Sequence, residues 1–363
     1  MTTTTAVSAA SIAGASTHEA PTGPSAPRMR AITQTRYGDS SVLEMGEIAV
    51  PTIAPDEVLI EVGAAAIDRG TEHLMTGTPW LIRLAGFGLR RPKQRVLGLD
   101  VAGVVREVGA DVTRFRVGDE VFGIASGSLA EFAVAKEVKL ARKPENLTFE
   151  EAAASTLSGI TALQALTDVG RLSAGERVLV IGASGGVGTF TVQLARVLGA
   201  TVDGVAGTPN VGLVESLGAD TVYDHRVTDL DSIDQRYDLI VDIGGRNRVR
   251  RIRRLLTSDG TLVFVGGEGG NRVTGGIGRQ VRAAALSPFV SHRLNMFVST
   301  EHHTFIDRLA VHLRTGQVAP HIGGRFPLEQ GIDAVRRLEA GMAQGKTVIQ
   351  VSISLSGRDL GDR

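Results

Sequence analysis

VLVIGASGGVGTFTVQLARVLGA, residues 178–200, decides how this chain is read. Val178–Ile181 is a short apolar run rich in β-branched residues, suited to a strand buried on both faces. Gly182, Gly185, Gly186 and Gly188 then fall within seven residues. Val192, Leu194, Ala195 and Leu198 continue with helical spacing, and Gly199 ends it. Glycines at such a turn let the backbone approach a pyrophosphate. The helix N-terminus adds unpaired N–H groups and the positive end of its dipole. Strand, turn and helix in this order predict a dinucleotide site at Gly182, Ser184, Gly185, Gly186, Val187 and Gly188. The alternative is a glycine-rich turn with no ligand.

Outward from this stretch, short apolar runs at 201–205, 221–223, 238–242, 261–265 and 296–299 alternate with helical patterns. With 178–181 they make six strands and predict a doubly wound parallel sheet. Upstream, from Met29 to Glu150, the pattern is β. MRAITQ, EVLIEVGAAAI, VAGVVREV and DEVFGI are separated by turn residues, as in a strongly bent antiparallel domain. Residues 68–97 interrupt it as a long loop or short helix carrying the only tryptophan, Trp80, and such segments often line a site. EEAAASTLSGITALQAL (150–166) reads as a helix. After 299 come a helix at 303–314, the extended APHIGGRFPLE, a helix at 329–340 and a final strand, KTVIQVSI. This tail resumes the style of the first domain and is expected to pack there.

The 363 residues and 42% hydrophobic content suffice for two domains. Lys and Arg total 39, Asp and Glu 39, so net charge argues against nucleic acid or an anionic membrane as main partner. With no cysteine, disulfides, thiolate zinc sites and cysteine nucleophiles are excluded. No apolar run reaches spanning length. Residues 1–28 are small, polar and proline-containing, without the features of a secretory or organelle leader. They are expected to be a disordered tail on a cytoplasmic protein. Residues 354–363 are expected to fray.

GLDVAGVVREVGADVTRFRVGDEVFG (98–123), the 150–166 helix, GASGGVGTFTVQLARVLGA, GTLVFVGGEGG, LSPFV and GKTVIQV together resemble the medium-chain dehydrogenase/reductase superfamily, in its zinc-free quinone oxidoreductase-like branch. The resemblance covers roughly residues 29–353. It implies an α/β fold with a GroES-like catalytic domain (29–150), a Rossmann domain (151–300) and a return to the catalytic domain (301–353). It further implies an active site in the cleft between them and a homodimer through the Rossmann sheet edge. Zinc-dependent relatives carry Cys at the position of Asp68, His at Leu99 and then Glu; here Asp100 follows Leu99. The four-cysteine lobe is missing too, so no metal is expected.

An acid about 20 residues past the glycine turn favours NAD when it stands at the tip of the second strand. Asp203 has that count but lies inside the strand. The tip, Ala206-Gly207-Thr208-Pro209-Asn210, has no carboxylate, which favours NADPH, with NADH as the alternative. Gly207, Thr208 and Asn210 are assigned to that site. Gly244 and Gly266-Gly267, after the fourth and fifth strands, are assigned to the nicotinamide half, the alternative being ordinary tight turns. By resemblance Thr161, Phe297, Val298 and Lys346 also approach the cofactor; Lys346 otherwise reads as a solvated turn lysine.

Without a Lewis acid, hydride transfer to a quinone or an α,β-unsaturated carbonyl suits this site best. Asp68 and His73 are the catalytic candidates, and Trp80, Phe87 and Phe289 the candidate acceptor pocket, with packing as the alternative. Other readings are a zinc-free alcohol/carbonyl or enoyl reductase, and a non-catalytic NADPH-binding protein. RNRVRRIRR (246–254) puts Val249, Ile252 and Leu256 on one helical face and reads as a solvated helix rather than an anion site.

Overall fold

A computed structural model describes residues 27–81, 83–267 and 273–351 of the protein. The tail expected at 1–28 lies outside them except for Pro27 and Arg28. These two are already ordered, since Arg28 pairs with Ala49 and the Pro27 carbonyl accepts from Val50 N–H. The frayed end expected at 354–363 lies outside the described residues.

The first part of the chain is β. Strands β1 (Arg28–Gln34) and β2 (Leu43–Ala49) form an antiparallel pair. Then come β3 (Glu57–Ile67), helix α1 (Arg69–Thr76), β4 (Asp100–Val108), β5 (Glu120–Ile124), β6 (Phe132–Lys136) and β7 (Leu140–Arg142). Strand β3 is buried along almost its whole length and pairs with both β4 and β6. Its register shifts at Leu59/Ile60 and Val62/Ala64, the irregularity that lets one strand bend round a core.

Helix α2 (Phe149–Gln164) follows, opened by a capping box between Thr148 and Glu151. It packs on β3, β4 and β5 and equally on α3 (Gly186–Val197). One apolar core therefore runs from Ala64 and Phe122 through Ala153 to Val180 and Phe190.

Strands β8 (Arg177–Ile181) and β9 (Thr201–Ala206), helix α4 (Val211–Ser216), β10 (Thr221–Asp224) and β11 (Tyr237–Asp242) build the second sheet. Helix α5 (Val249–Arg253), β12 (Leu256–Phe264), α6 (Ile277–Leu286) and β13 (Arg293–Met296) complete it. Its order is β10-β9-β8-β11-β12-β13, parallel throughout, so the order reverses at β8. Val178 and Val180 face the α3 side, whereas Leu179 and Ile181 face the α5 and α6 side.

Two sequence expectations move. The apolar run predicts the sixth strand at 296–299, yet β13 ends at Met296. Leu294 is its buried residue, while Met296 and Val298 are 48% and 55% exposed. The arginine-rich run is helical only over Val249–Arg253, where Ile252 is buried as the spacing predicted.

The chain then returns. Helix α7 (His303–Arg314) packs on α2 and β7. Strand β14 (Ile322–Pro327), helix α8 (Gly331–Glu339) and strand β15 (Lys346–Gln350) rejoin the first sheet, β15 pairing antiparallel with β3. Among the described residues no helix is long and apolar enough to cross a membrane.

Candidate active site and cofactor cleft

The carboxyl ends of the central strands are knitted into one edge. Gly182 and Ala183 N–H donate to Val205 O at the tip of β9, and Ile243 and Gly244 N–H donate to Ile181 O at the tip of β8. Gly182 has φ +90°, which favours glycine. A Cβ on Gly188 would stand 2.2 Å from the Gly182 carbonyl oxygen, so only glycine lets α3 start this close to β8. Gly185 is the α3 N-cap without a side-chain cap bond, and the first turn holds no acid. The N–H groups of that turn and the helix dipole therefore point, uncapped by side chains, at the strand edge, the arrangement that receives a pyrophosphate.

This turn is also the seam between the two sheets. Gly345 N–H, just before β15, donates to Ser184 O at 3.0 Å, and Gly185 bridges Gly345. Asn210 Nδ2 donates to Ser184 Oγ at 3.2 Å, and Gln344 Nε2 donates to Asn210 Oδ1 at 2.6 Å.

Beneath the seam lies a buried ionic cluster that the sequence did not reveal. Lys346 is fully buried and its Nζ lies 2.7 Å from Asp68 Oδ2 and 2.6 Å from Asp100 Oδ2. Asp68 caps α1 through Gly70 N–H at 2.9 Å, and Ser158 Oγ reaches it at 3.5 Å. Asp100 opens β4 and accepts from Leu157 N–H of α2 at 2.8 Å. A Cβ on Gly186 would meet Ser158 Oγ at 2.9 Å and Lys346 Cδ at 3.0 Å, so the cluster forms the floor under the first turn of α3. Burial pushes the Asp68 carboxyl up, but the Lys346 ammonium and N–H donors outweigh this and hold it below its ordinary value. Burial and the Asp68 charge raise the Asp100 carboxyl to about 6 against the opposing ammonium. Burial lowers the Lys346 ammonium, and the two carboxylates outweigh it and raise it. Lys346 is thus neither a solvated turn lysine nor exposed to the cleft: two acids 278 and 246 residues away hold it.

At the tip of β9, Asp203 is buried within the strand as its position predicted. Its carboxylate accepts from the Tyr237 hydroxyl at 2.8 Å and pairs with Arg177 at 3.2 Å, both away from the strand tip. The tip is not free of carboxylate, however. Register places Asp224 of β10 beside Ala206, with the Thr208 hydroxyl and Arg226 N–H donating to it. His225 Nε2 and Arg226 Nε lie 3.3 and 3.9 Å from where a Gly207 Cβ would be. Sequence reading missed both because they follow a different strand.

The remaining predicted residues scatter. Thr161 Oγ1 donates back to Leu157 O within α2. His73 Nδ1 lies 2.8 Å from Thr78 O at the end of α1, a bond that holds the following corner. Trp80 is half exposed under the Arg83 guanidinium, 5.8 Å from its ring centroid. Phe87 instead lines a cavity of about 20 Å³ with Leu74 and Leu97. Phe289 stands 83% exposed just before β13. The three aromatic residues therefore do not enclose one pocket. Phe297 and Val298 follow β13 rather than belonging to it, although Phe297 packs on the shared core. Gly266 and Gly267 follow β12, where Gly266 N–H donates to Asp242 O and Gly266 O accepts from Gln280 Nε2.

Two family models match the chain. One is described as an alcohol dehydrogenase GroES-like domain (54–145), the other as a zinc-binding dehydrogenase (217–349). A 2-methylene-furan-3-one reductase of Solanum lycopersicum is 35% identical over 337 residues, 88% of this chain and 79% of the relative. The chain belongs to the medium-chain dehydrogenase/reductase superfamily. Within this superfamily, a chloroplastic NADPH-dependent alkenal/one oxidoreductase of Arabidopsis thaliana is 32% identical over 88% of the chain and 79% of the relative. The solved quinone oxidoreductase of Coxiella burnetii superposes with a TM-score of 0.80 at 26% identity, covering 90% and 100% of the two chains.

The second description names zinc, but its matched residues include neither Asp68 nor Leu99, where zinc-dependent superfamily members place ligands. Among the described residues no group of three or more His, Cys, Asp or Glu is arranged to hold a metal ion. At the corresponding place this superfamily member offers two carboxylates with an ammonium between them. Such a set is electrostatically hostile to a dication.

Proposed function

We propose that the protein is a zinc-independent reductase that passes a hydride from NADPH to a quinone or an α,β-unsaturated carbonyl compound. The observation that carries this reading is the first turn of α3, uncapped by any side chain and free of acids, lying on the seam of the two sheets. NADPH, when bound, supplies the hydride. A quinone or enone accepts it without a Lewis acid, because the resulting charge spreads over a conjugated oxygen.

The protein's own residues bind, orient and brace. The N–H groups of Gly186, Val187 and Gly188 hold the pyrophosphate, with Gly182, Ser184, Gly185 and Asn210 shaping the turn. Gly207, Thr208, His225 and Arg226 receive the ribose, and the Arg226 guanidinium pairs with a 2′-phosphate, which favours NADPH over NADH against the opposing charge of Asp224 at the same tip. Gly244, Gly266 and Gly267 leave room for the nicotinamide half. Asp68 stays ionised and acts as a positioning residue for Lys346, as does Asp100; neither donates the proton, which solvent supplies. His73 holds the corner after α1. The donor set of Asp68, Asp100 and Lys346 supports working without zinc.

The same reading makes the enzyme a cytoplasmic homodimer. The outer edge of β13, with Phe289, Met296 and Val298 exposed around it, suits sheet-to-sheet pairing of two copies.

The test is NADPH oxidation with a panel of acceptors. Steady turnover with simple quinones and enones is expected. Turnover confined to aldehydes or ketones would make the protein a carbonyl reductase, and tight NADPH binding with no turnover would make it a binding protein.

A further inference from the structure

Three of the six arginines in the 246–254 run fall into two different settings. Arg251 pairs with Asp229 and, at 3.2 Å, with Asp231. Arg246 and Arg248 instead precede α5 and line a cavity of about 530 Å³, together with Arg279 and Arg282 of α6. Among the described residues no acid lines this cavity. Arg279 forms a fixed wall. Its Nη2 lies 2.7 Å from buried Asp242, its Nη1 donates to Asn247 O at 2.6 Å, and its guanidinium stacks 5.0 Å from the Phe264 centroid. Arg246, Arg248 and Arg282 are exposed, with no ion-pair partner among the described residues.

The cavity lies at the same carboxyl edge as the glycine turn but on the α5–α6 face, whereas α3 packs on the opposite face. Its rim adjoins the first domain. Leu81 N–H donates to Val273 O at 3.1 Å, and a Cβ on Gly275 would stand 3.1 Å from Pro79. The cavity therefore opens beside the mouth of the cleft. A volume of about 530 Å³ is in the range that holds a small molecule. Asp242 balances Arg279, which leaves the guanidiniums of Arg246, Arg248 and Arg282 in excess. These three would leave a single carboxylate outnumbered, and their planar forks match phosphate oxygens.

We propose that this cavity is a second anion site. It takes a phosphate-type group with two or more negative charges, on a molecule other than the dinucleotide. Resting on the proposed function, the group is the charged arm of an acceptor whose conjugated end enters the cleft. The same chemistry also admits a free phosphate-type effector.

The probe is inorganic pyrophosphate, titrated calorimetrically into the full-length protein saturated with NADPH, so that the glycine turn is already filled. Wild type is expected to bind it, and R248S/R282S to bind it at least tenfold more weakly with NADPH affinity unchanged. Absence of binding to wild type, or equal binding to both proteins, overturns the site. A matching loss of NADPH affinity in the variant overturns it as well, by giving the arginines to the cofactor. These readouts need no turnover, so failure of the reductase reading would appear separately. Kinetics then separate the sources. An acceptor arm raises the variant's KM for an enoyl thioester with a phosphorylated carrier, leaving neutral enones unchanged. A free effector changes neutral-enone turnover in wild type on adding pyrophosphate.

Discussion

At the residue scale the floor of the cleft is Lys346 held by Asp68 and Asp100. Lys346→Met leaves two buried carboxylates without their cation, and breaking such a cluster costs about 3–5 kcal/mol; urea denaturation at neutral pH measures it. Asp100 gives the cluster a pH signature. Its carboxyl is raised to about 6 in the fold, against about 3.9 unfolded. The native state therefore binds more protons than the unfolded chain between these values, and this group's contribution falls as pH rises through that window. The ceiling is about 3 kcal/mol. Asp100→Asn is expected to lose this descending component, seen by subtracting the two proteins' stability curves from pH 4 to 7. At the tip of β9, Arg226→Ser removes the proposed charge-assisted contact to a 2′-phosphate, of about 1.5–3 kcal/mol. The Kd for NADPH is expected to rise tenfold or more with that for NADH unchanged, in fluorescence titrations. The glycine turn was legible in the sequence because its chemistry is local. The lysine cluster was not, because its members come from three distant elements, and a lysine before a strand looks the same whether solvated or buried.

At the scale of elements, the join of β8 to α3 does two jobs that substitution separates. Gly188→Ala drives a Cβ against the Gly182 carbonyl and is expected to destabilise the fold and abolish NADPH binding together. Gly185→Ala meets nothing nearer than 3.6 Å, and its φ of −79° suits alanine. It is expected to keep the melting temperature within a few degrees while weakening NADPH, because the methyl group intrudes on the uncapped turn. Equal losses in both variants would contradict the division. The inner strands β8, β9, β11 and β12 were legible because they are buried on both faces and read as continuous apolar runs. The sixth was misplaced because its apolar residues are partly exposed at the sheet edge. Strands β2, β6 and β7, short or partly solvated, carry too little pattern to be read.

At the scale of the molecule, the chain leaves the first sheet at α2 and returns through α7, β14 and β15, so the cleft floor is made from both ends of the first unit. The superfamily was legible from motifs spread along the chain, but the absence of a shared pocket for Trp80, Phe87 and Phe289 was not, since aromatic residues signal burial without saying against what. The proposed chemistry makes this cleft work with an internal ammonium where zinc-dependent members of the superfamily place a metal. The most direct measurement is the steady-state rate of NADPH oxidation by a quinone and by an enone, using protein exhaustively dialysed against a zinc chelator. Turnover equal to that of undialysed protein, and unchanged when zinc is restored, is predicted. Turnover that disappears on chelation and returns with zinc, or none with either acceptor before dialysis, would contradict it.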